Sequence, residues 1–159
     1  MDDFKIHNIT NTYRLYAGNS LEEYRCTSFF TKEPETIEWI KTFFKDGETF
    51  YDVGANVGVY SLYAAILYPR MQVYSFEPDL RNYLRLGENC SLNEVVNVIP
   101  LYLALSDVTG VEKFFVRDER IGASGGQIGE NKDEHGRQFT PLQQYPILIR
   151  LTGWLAICR

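Results

Sequence analysis

The residues best suited to chemistry stand in the run Asp52-Val53-Gly54-Ala55-Asn56-Val57-Gly58, between a short β-type segment and an apolar, helix-like one. Glycine at 54 and 58 lets the backbone turn tightly and come close to a ligand. The start of the helix that follows offers unpaired amides and a favourable dipole for a carboxylate. Glu77 follows Asp52 by 25 residues and stands at the tip of the next expected strand. A carboxylate there can accept two hydrogen bonds from a ribose diol. The cluster Ala104-Leu105-Ser106-Asp107 follows a third expected strand and lies where an adenine edge would be read. Each feature also has a plainer reading: a tight strand-to-helix turn for the glycine loop, a cap on the next helix for Glu77, and a turn closed before Gly110 for Asp107.

Elements must carry these residues, and the sequence pattern supplies them. Thr49 to Val53, Gln72 to Phe76 and Asn97 to Leu101 read as strands. Val59 to Tyr68 is nearly all apolar and stops at Pro69, as a helix buried against a sheet would. Asp79 can cap a helix that runs to about Leu92 and carries Leu80, Tyr83 and Leu84 on one face. Strand, helix, strand, helix, strand within about 55 residues predicts an α/β fold, a Rossmann-like, doubly wound and mainly parallel sheet. Ligands of such sheets sit beyond the carboxyl ends of the strands, which is where the three features fall.

Upstream, Phe4 to Ile6 and Tyr13 to Tyr16 alternate around Asn11-Thr12 and suggest a short hairpin or a lid-like extension. Pro34 to Lys45 has Ile37, Ile40 and Phe44 at helical spacing, with Gly47 suited to the exit. Downstream, Glu112 to Val116 reads as one more strand. Gly122 to Gly129, with four glycines, and the polar run Asn131 to Gln138 read as a mobile loop. Ile147 to Leu151 reads as a further strand within the apolar end, Tyr145 to Arg159. The expected organisation is a single domain over 1–159, with an N-terminal hairpin and helix (1–47), a core (48–117), and a glycine-rich loop and atypical end (118–159).

The loop separates two ligand classes. A dinucleotide fingerprint G-x-G-x-x-G would need glycine at 56 and 59, where Asn56 and Val59 stand. A phosphate-cradling G-x-x-x-x-G-K-[ST] loop would need Lys and Ser or Thr where Val59 and Tyr60 stand. A ligand with an amino-acid carboxylate and an uncharged sugar fits better, which sets a nicotinamide-dependent oxidoreductase far behind.

Composition narrows the partners. The 159 residues carry a net charge of −5, with a pI near 5.1, which disfavours nucleic acid because counterion displacement needs a basic surface. No apolar run approaches the roughly 20 residues that cross a bilayer, and the opening Met1-Asp2-Asp3 is unlike a secretory signal, so the expectation is a cytoplasmic protein without membrane contact. Cys26, Cys90 and Cys158 are far apart and read as free thiols, with no metal implied. The 11 Tyr and 10 Phe read first as core, Trp39 and the Tyr60, Tyr63, Tyr68 series among them. His7 and His135 are the only histidines. Either could serve as a general base, though each lies outside the motifs and suits a solvated surface.

The run Phe50-Tyr51-Asp52-Val53-Gly54-Ala55-Asn56-Val57-Gly58-Val59-Tyr60-Ser61, followed by Val73-Tyr74-Ser75-Phe76-Glu77-Pro78, resembles the FkbM family of class I methyltransferases. Ala104-Leu105-Ser106-Asp107, with Gly110, resembles the family's next block, so that the resemblance spans roughly residues 35 to 117. It implies S-adenosylmethionine as cofactor. Gly54 and Gly58 would shape the methionine-side loop, with Ala55 and Asn56 on it and Asp52 bracing it through amides or water. Glu77 would hold the ribose hydroxyls, and Ser106 or Asp107 would border adenine. The implied activity is O-methylation of a hydroxyl on a small molecule or glycan, the cofactor carrying the electrophile and the protein positioning it. The family's fourth strand, of the form K-I-D-V-[DE]-G, has no counterpart here, and its nearest substitute, Ile147 to Gly153, carries no carboxylate. The sheet is therefore expected to be incomplete in its C-terminal half. The expected product is truncated or frame-altered, or completes itself by pairing its sheet edge with a second copy. A cofactor-binding module without turnover is the alternative to an active enzyme.

Overall fold

A computed structural model describes residues 4–132, 135–140 and 142–150. The chain opens with an antiparallel pair, β1 (Lys5–Asn8) and β2 (Arg14–Ala17). Helices α1 (Ser20–Thr27), α2 (Phe29–Lys32) and α3 (Pro34–Phe43) follow. Then come β3 (Thr49–Val53), α4 (Val59–Leu67), β4 (Gln72–Phe76), α5 (Leu80–Leu92) and β5 (Val98–Leu101). The remainder is short strands: β6 (Leu103–Leu105), β7 (Gly110–Val111), β8 (Phe114–Phe115), β9 (Gln127–Ile128), β10 (Gln143–Gln144) and β11 (Ile147–Ile149).

The expected α/β, Rossmann-like arrangement is formed by β3, β4 and β5, a parallel sheet in the order β3-β4-β5. Its register decides where the motifs meet. Val53 lies opposite Phe76, and Phe76 opposite Leu101, so the residues leaving β3 and β4 emerge side by side at one end. Alternation along the strands sends Phe50, Asp52, Val73 and Ser75 to the buried face, against Ser61, Leu62 and Ala65 of α4. The other face carries Tyr51 stacked on Tyr74, with ring centroids 5.4 Å apart. Pro34 occupies the first turn of α3, where its missing N–H costs nothing, and Ile37 and Ile40 point into the same core.

The hairpin forms a wall of that core. Tyr13, Leu15 and Ala17 are buried, and the Tyr13 hydroxyl donates to the Val59 carbonyl at 2.7 Å. Its inner strand, β2, is fastened to α5 and its C-cap by amides: Asn89 Oδ1 accepts from Tyr16 N, and Asn93 Oδ1 accepts from Arg14 N.

The inner face of α5 is not the one its apolar residues suggest. Leu80 is 43% exposed and Leu84 55%, whereas Asn82, Arg85, Leu86, Asn89 and Cys90 are buried. These five repeat at helical spacing, so the periodicity holds, but it is carried by polar groups with fixed partners. Arg85 lies under the Phe4 ring, 4.3 Å from its centroid, and its Nε is 2.9 Å from Glu22 Oε1 in a buried ion pair. Glu22 also accepts the Gly18 amide and the Asn19 side-chain amide.

Beyond β5 the chain departs further from expectation. The stretch from 112 to 116 holds only the two-residue β8, which pairs with β9 and β10. The strand expected over Ile147 to Leu151 is β11, but it runs parallel to β6 and antiparallel to β7 rather than beside β3. Among the described residues, no strand covers the second edge of β3. The polar run after Asn131 is bridged between Lys132 and Gln138. Residues 133 and 134 within it, Leu151 to Gly153 of the expected substitute strand, and Cys158 lie outside the described residues.

Candidate functional site

The loop leaving β3 passes through three left-handed positions: Gly54 (φ 78°), Asn56 (φ 53°) and Gly58 (φ 88°). Glycine adopts this region freely, and Asn is among the few other residues that do so at modest cost. The two glycines serve different ends. A Cβ added at Gly58 would lie 2.6 Å from Leu62 Cδ1 and 2.8 Å from Leu86 Cδ1, so this glycine lets the first turn of α4 pack against α5. A Cβ added at Gly54 would meet nothing within 4 Å. That glycine faces open space, which it leaves clear.

Glu77 joins the two strand tips. Its Oε2 accepts the Asn56 amide at 2.7 Å and its Oε1 accepts the Asp79 amide at 2.8 Å. The Glu77 amide in turn donates to Leu101 O, and the Gly54 and Ala55 amides both donate to Phe76 O. Burial raises the Glu77 carboxyl to about 7, against the lowering effect of its two backbone amide donors. Each of its oxygens keeps lone-pair capacity beyond the amide it already accepts.

Asp52 does not reach the loop amides. Its carboxylate accepts the Ser61 hydroxyl at 2.5 Å, Ser61 lies 2.7 Å from the Ser75 hydroxyl, and the three join β3, α4 and β4 beneath the loop. Burial raises the Asp52 carboxyl, and the Ser61 hydroxyl opposes that rise.

The glycine-rich segment expected to be mobile is instead a strap fastened across the loop. Asn56 Nδ2 and Asn82 Nδ2 both donate to Ala123 O, at 2.6 and 3.1 Å. Asn82 Oδ1 accepts the Gly122 amide at 2.8 Å, and Arg25 Nε donates to Gly122 O at 2.7 Å. Further along, Asn19 Nδ2 donates to Ile121 O. Sequence reasoning missed Asn82, Ala123, Ser124 and Arg25. The available signal was Asn at 82, 89 and 93, a poor helix former repeated on one side of a helix.

The strap divides the space above the strand tips into three hollows. The first, about 200 Å³, lies between the loop and the N-terminal helices, lined by Arg25, Glu33, Asp52, Gly54, Tyr60 and Ser124 among others. The second, about 160 Å³, is bordered by Gly54, Asn56, Glu77, Asp79 and Asn82 from below, with Ala123 to Gly126, Phe114 and Val116 closing it. These two meet at Gly54, Asn56 and Ser124. The third, about 370 Å³, lies on the far side of Ser124.

Asp52, Gly54, Ala55, Asn56 and Glu77 are thus brought together around the first two hollows, with Gly58 packed beneath them. Ser106 and Asp107 line none of the three. The Ser106 amide donates to Ile149 O, and its hydroxyl lies 3.2 Å from Asp107 Oδ1. His7 and His135 also stand apart from the hollows.

No family model matches the chain. Among curated proteins, it is 32% identical over 69 residues to 31-O-demethyl-FK506 methyltransferase FkbM of Streptomyces tacrolimicus, a stretch covering 43% of this chain and 26% of that protein. The chain therefore spans about a quarter of the length of this relative. Among solved structures, it is similar to the M. jannaschii TYW2 protein in complex with AdoMet, at 17% identity and TM-score 0.46, covering 76% of this chain and 68% of that one. It is likewise similar to a SAM-dependent methyltransferase from Aquifex aeolicus, at 19% identity and TM-score 0.43, covering 51% and 44%. The resemblance read from D-x-G-A-N-x-G and F-E-P is thus to the family whose name this curated relative carries, and over 69 residues the chain is similar to that protein.

Proposed function

We propose that this chain carries the S-adenosylmethionine site of a methyltransferase that transfers a methyl group to a hydroxyl of a small molecule or glycan. The observation that carries the reading is the β3–β4 register, which sets the open cradle at Gly54 beside the buried carboxylate of Glu77. The residues fit the cofactor. Space that a Cβ at position 54 would fill is left clear, and Glu77 lines the second hollow with acceptor capacity to spare.

When bound, S-adenosylmethionine supplies an electrophilic sulfonium methyl. The chain's own residues do the positioning. Gly54, Ala55 and Asn56 present backbone to the amino-acid end, and Glu77 accepts hydrogen bonds from the ribose diol. Phe114 and Val116, both buried, offer an apolar border to the second hollow for a flat ring. Asp52 acts from beneath, holding α4 to the sheet through Ser61 so that the loop keeps its shape. The strap shields the strand tips from water, which strengthens polar contacts there.

Titration calorimetry with S-adenosylmethionine and with its demethylated product tests this reading. Saturable binding that falls at least tenfold in Glu77→Ala is expected. Absence of heat from folded protein at high micromolar ligand would sink it.

A second reading is a cofactor-binding module without turnover. It is favoured by β11, which pairs with β6 and carries no carboxylate, so that no strand among the described residues completes the site beside β3. Cofactor that raises the melting temperature, with no methylated product from any acceptor, would decide for it. Pairing of the open β3 edge with a second copy would supply a missing strand, and sedimentation across a concentration series tests that arrangement. No helix among the described residues is long and apolar enough to cross a membrane.

A further inference from the structure

The third hollow differs in charge from the rest of this acidic chain. Its wall holds Arg25, Lys32 and Arg117, against Asp118 as the single acid. Asp118 is already neutralised by its neighbour, since the Arg120 guanidinium donates to it from Nε at 3.0 Å and from Nη2. Arg25 lines the hollow, is fixed in place by the bond from its Nε to Gly122 O, and feels the charge of Glu33. The Arg117 side chain lies along the strap, where a Cβ at Gly125 would come within 3.4 Å of its Cδ and Nη1. Lys32 is held only by the partly exposed Glu33, at 2.7 Å.

The hollow shares Arg25, Lys32 and Ser124 with the first hollow, which reaches the loop at Gly54, and Arg117, Asp118, Ala123 and Ser124 with the second. A molecule spanning the two would have one end at the strand tips and the other among the cations. We propose that the third hollow is the acceptor's anchoring subsite and takes an anionic group, a carboxylate or a phosphate, on the molecule whose hydroxyl enters the first hollow. This rests on the methyltransferase reading and narrows its acceptor class. A neutral glycan would bring no charge to meet the three cations gathered around this half-enclosed space, leaving Lys32 to Glu33 alone. An oxyanion can take paired N–H donors from a guanidinium fork, and it gains from the partial exclusion of water.

The test is calorimetric titration of the whole chain, at constant ionic strength, with glucose, glucuronate and glucose 6-phosphate: one sugar in neutral, carboxylate and phosphate forms. The variant is Lys32→Ala, which spares Arg117 because that residue also borders the second hollow; Lys32 is exposed and lies outside the core, and S-adenosylmethionine affinity is measured alongside. Saturable binding of at least one acidic sugar, none of glucose, and at least tenfold weakening in the variant with cofactor affinity retained are expected. The tighter acid identifies the anion. The proposal is overturned if neither acidic sugar binds, if glucose binds equally well, or if the variant binds the acids unchanged. It is also overturned if the variant loses cofactor affinity instead, which would assign this cation to the amino-acid carboxylate of S-adenosylmethionine. If acidic sugars bind and respond to the variant while S-adenosylmethionine does not bind at all, the anion subsite stands and the methyltransferase reading falls.

Discussion

Glu77 should leave a signature in the pH dependence of stability. Its carboxyl is raised from 4.5 to about 7, first by burial, so the folded chain holds this proton more tightly than the unfolded chain does. Stability from this source is full below pH 4.5 and is lost as pH rises through about 7. At about 1.4 kcal/mol per pH unit, the loss is about 3 kcal/mol. Glu77→Gln cannot ionise, so it escapes that loss. It has a different, pH-independent cost: both Glu77 oxygens accept backbone amides, and a glutamine must turn its NH₂ toward one of them. A buried donor left facing a donor costs about 1–3 kcal/mol. The variant should therefore be less stable than the parent at pH 4.5, and by pH 8 the difference should have moved in the variant's favour by about 3 kcal/mol. Asp52 and Glu22 are also raised by burial, but they are common to both proteins and cancel in the difference. Urea unfolding followed by circular dichroism, in half-unit steps of pH, measures it. Stability curves that run parallel across the range would refute the account of Glu77 as a buried, proton-retaining link between the strand tips.

The two loop glycines should separate cleanly. Gly54→Ala meets no protein atom within 4 Å and should cost only the left-handed backbone strain, about 1–2 kcal/mol, while abolishing cofactor binding. Gly58→Ala adds a collision with Leu62 and Leu86 and should cost about 1–3 kcal/mol more in urea unfolding. Asn82→Ala removes the acceptor of the buried Gly122 amide, for about 1–3 kcal/mol, and should speed proteolytic cleavage between 118 and 126. Burial pushes the Cys26 thiol up to about 12 and Cys90 up to about 11, so neither should react with iodoacetamide at pH 8 while the chain is folded. Labelling of either within minutes, read by mass spectrometry, would contradict this.

Much of the parallel sheet could be read from the residues. β3 and β4 have the bounds that alternation and the stops at Gly54 and Glu77 indicate, and α4 ends where Pro69 forces the preceding residue out of helical conformation. The failures share one cause. Apolar spacing points to Leu80, Tyr83 and Leu84 as the inner face of α5, but Asn82, Arg85 and Asn89 are buried because Gly122, Glu22, Val57 and Tyr16 answer them from far along the chain. Hydrophobic periodicity registers burial without registering distant hydrogen-bond partners. The strap differs from expectation for the same reason: four glycines suggest freedom, yet a backbone without side chains also brings its amides and carbonyls within reach of Asn56, Asn82 and Arg25. At the site, the loop and Glu77 were legible because local motifs carry them. Ser106 and Asp107 were placed by analogy of position, and the pairing of β11 with β6 and β7 draws that segment into another sheet.

The bond between Gly122 N and Asn82 Oδ1 also makes the strap countable. That amide is buried, and deuterium reaches it only when the strap lifts, so its exchange rate is a clock for excursions that bare the strand tips. A ligand lodged beneath the strap should slow the clock, and at high pH, where every opening leads to exchange, one that must enter by lifting it cannot arrive faster than the clock ticks.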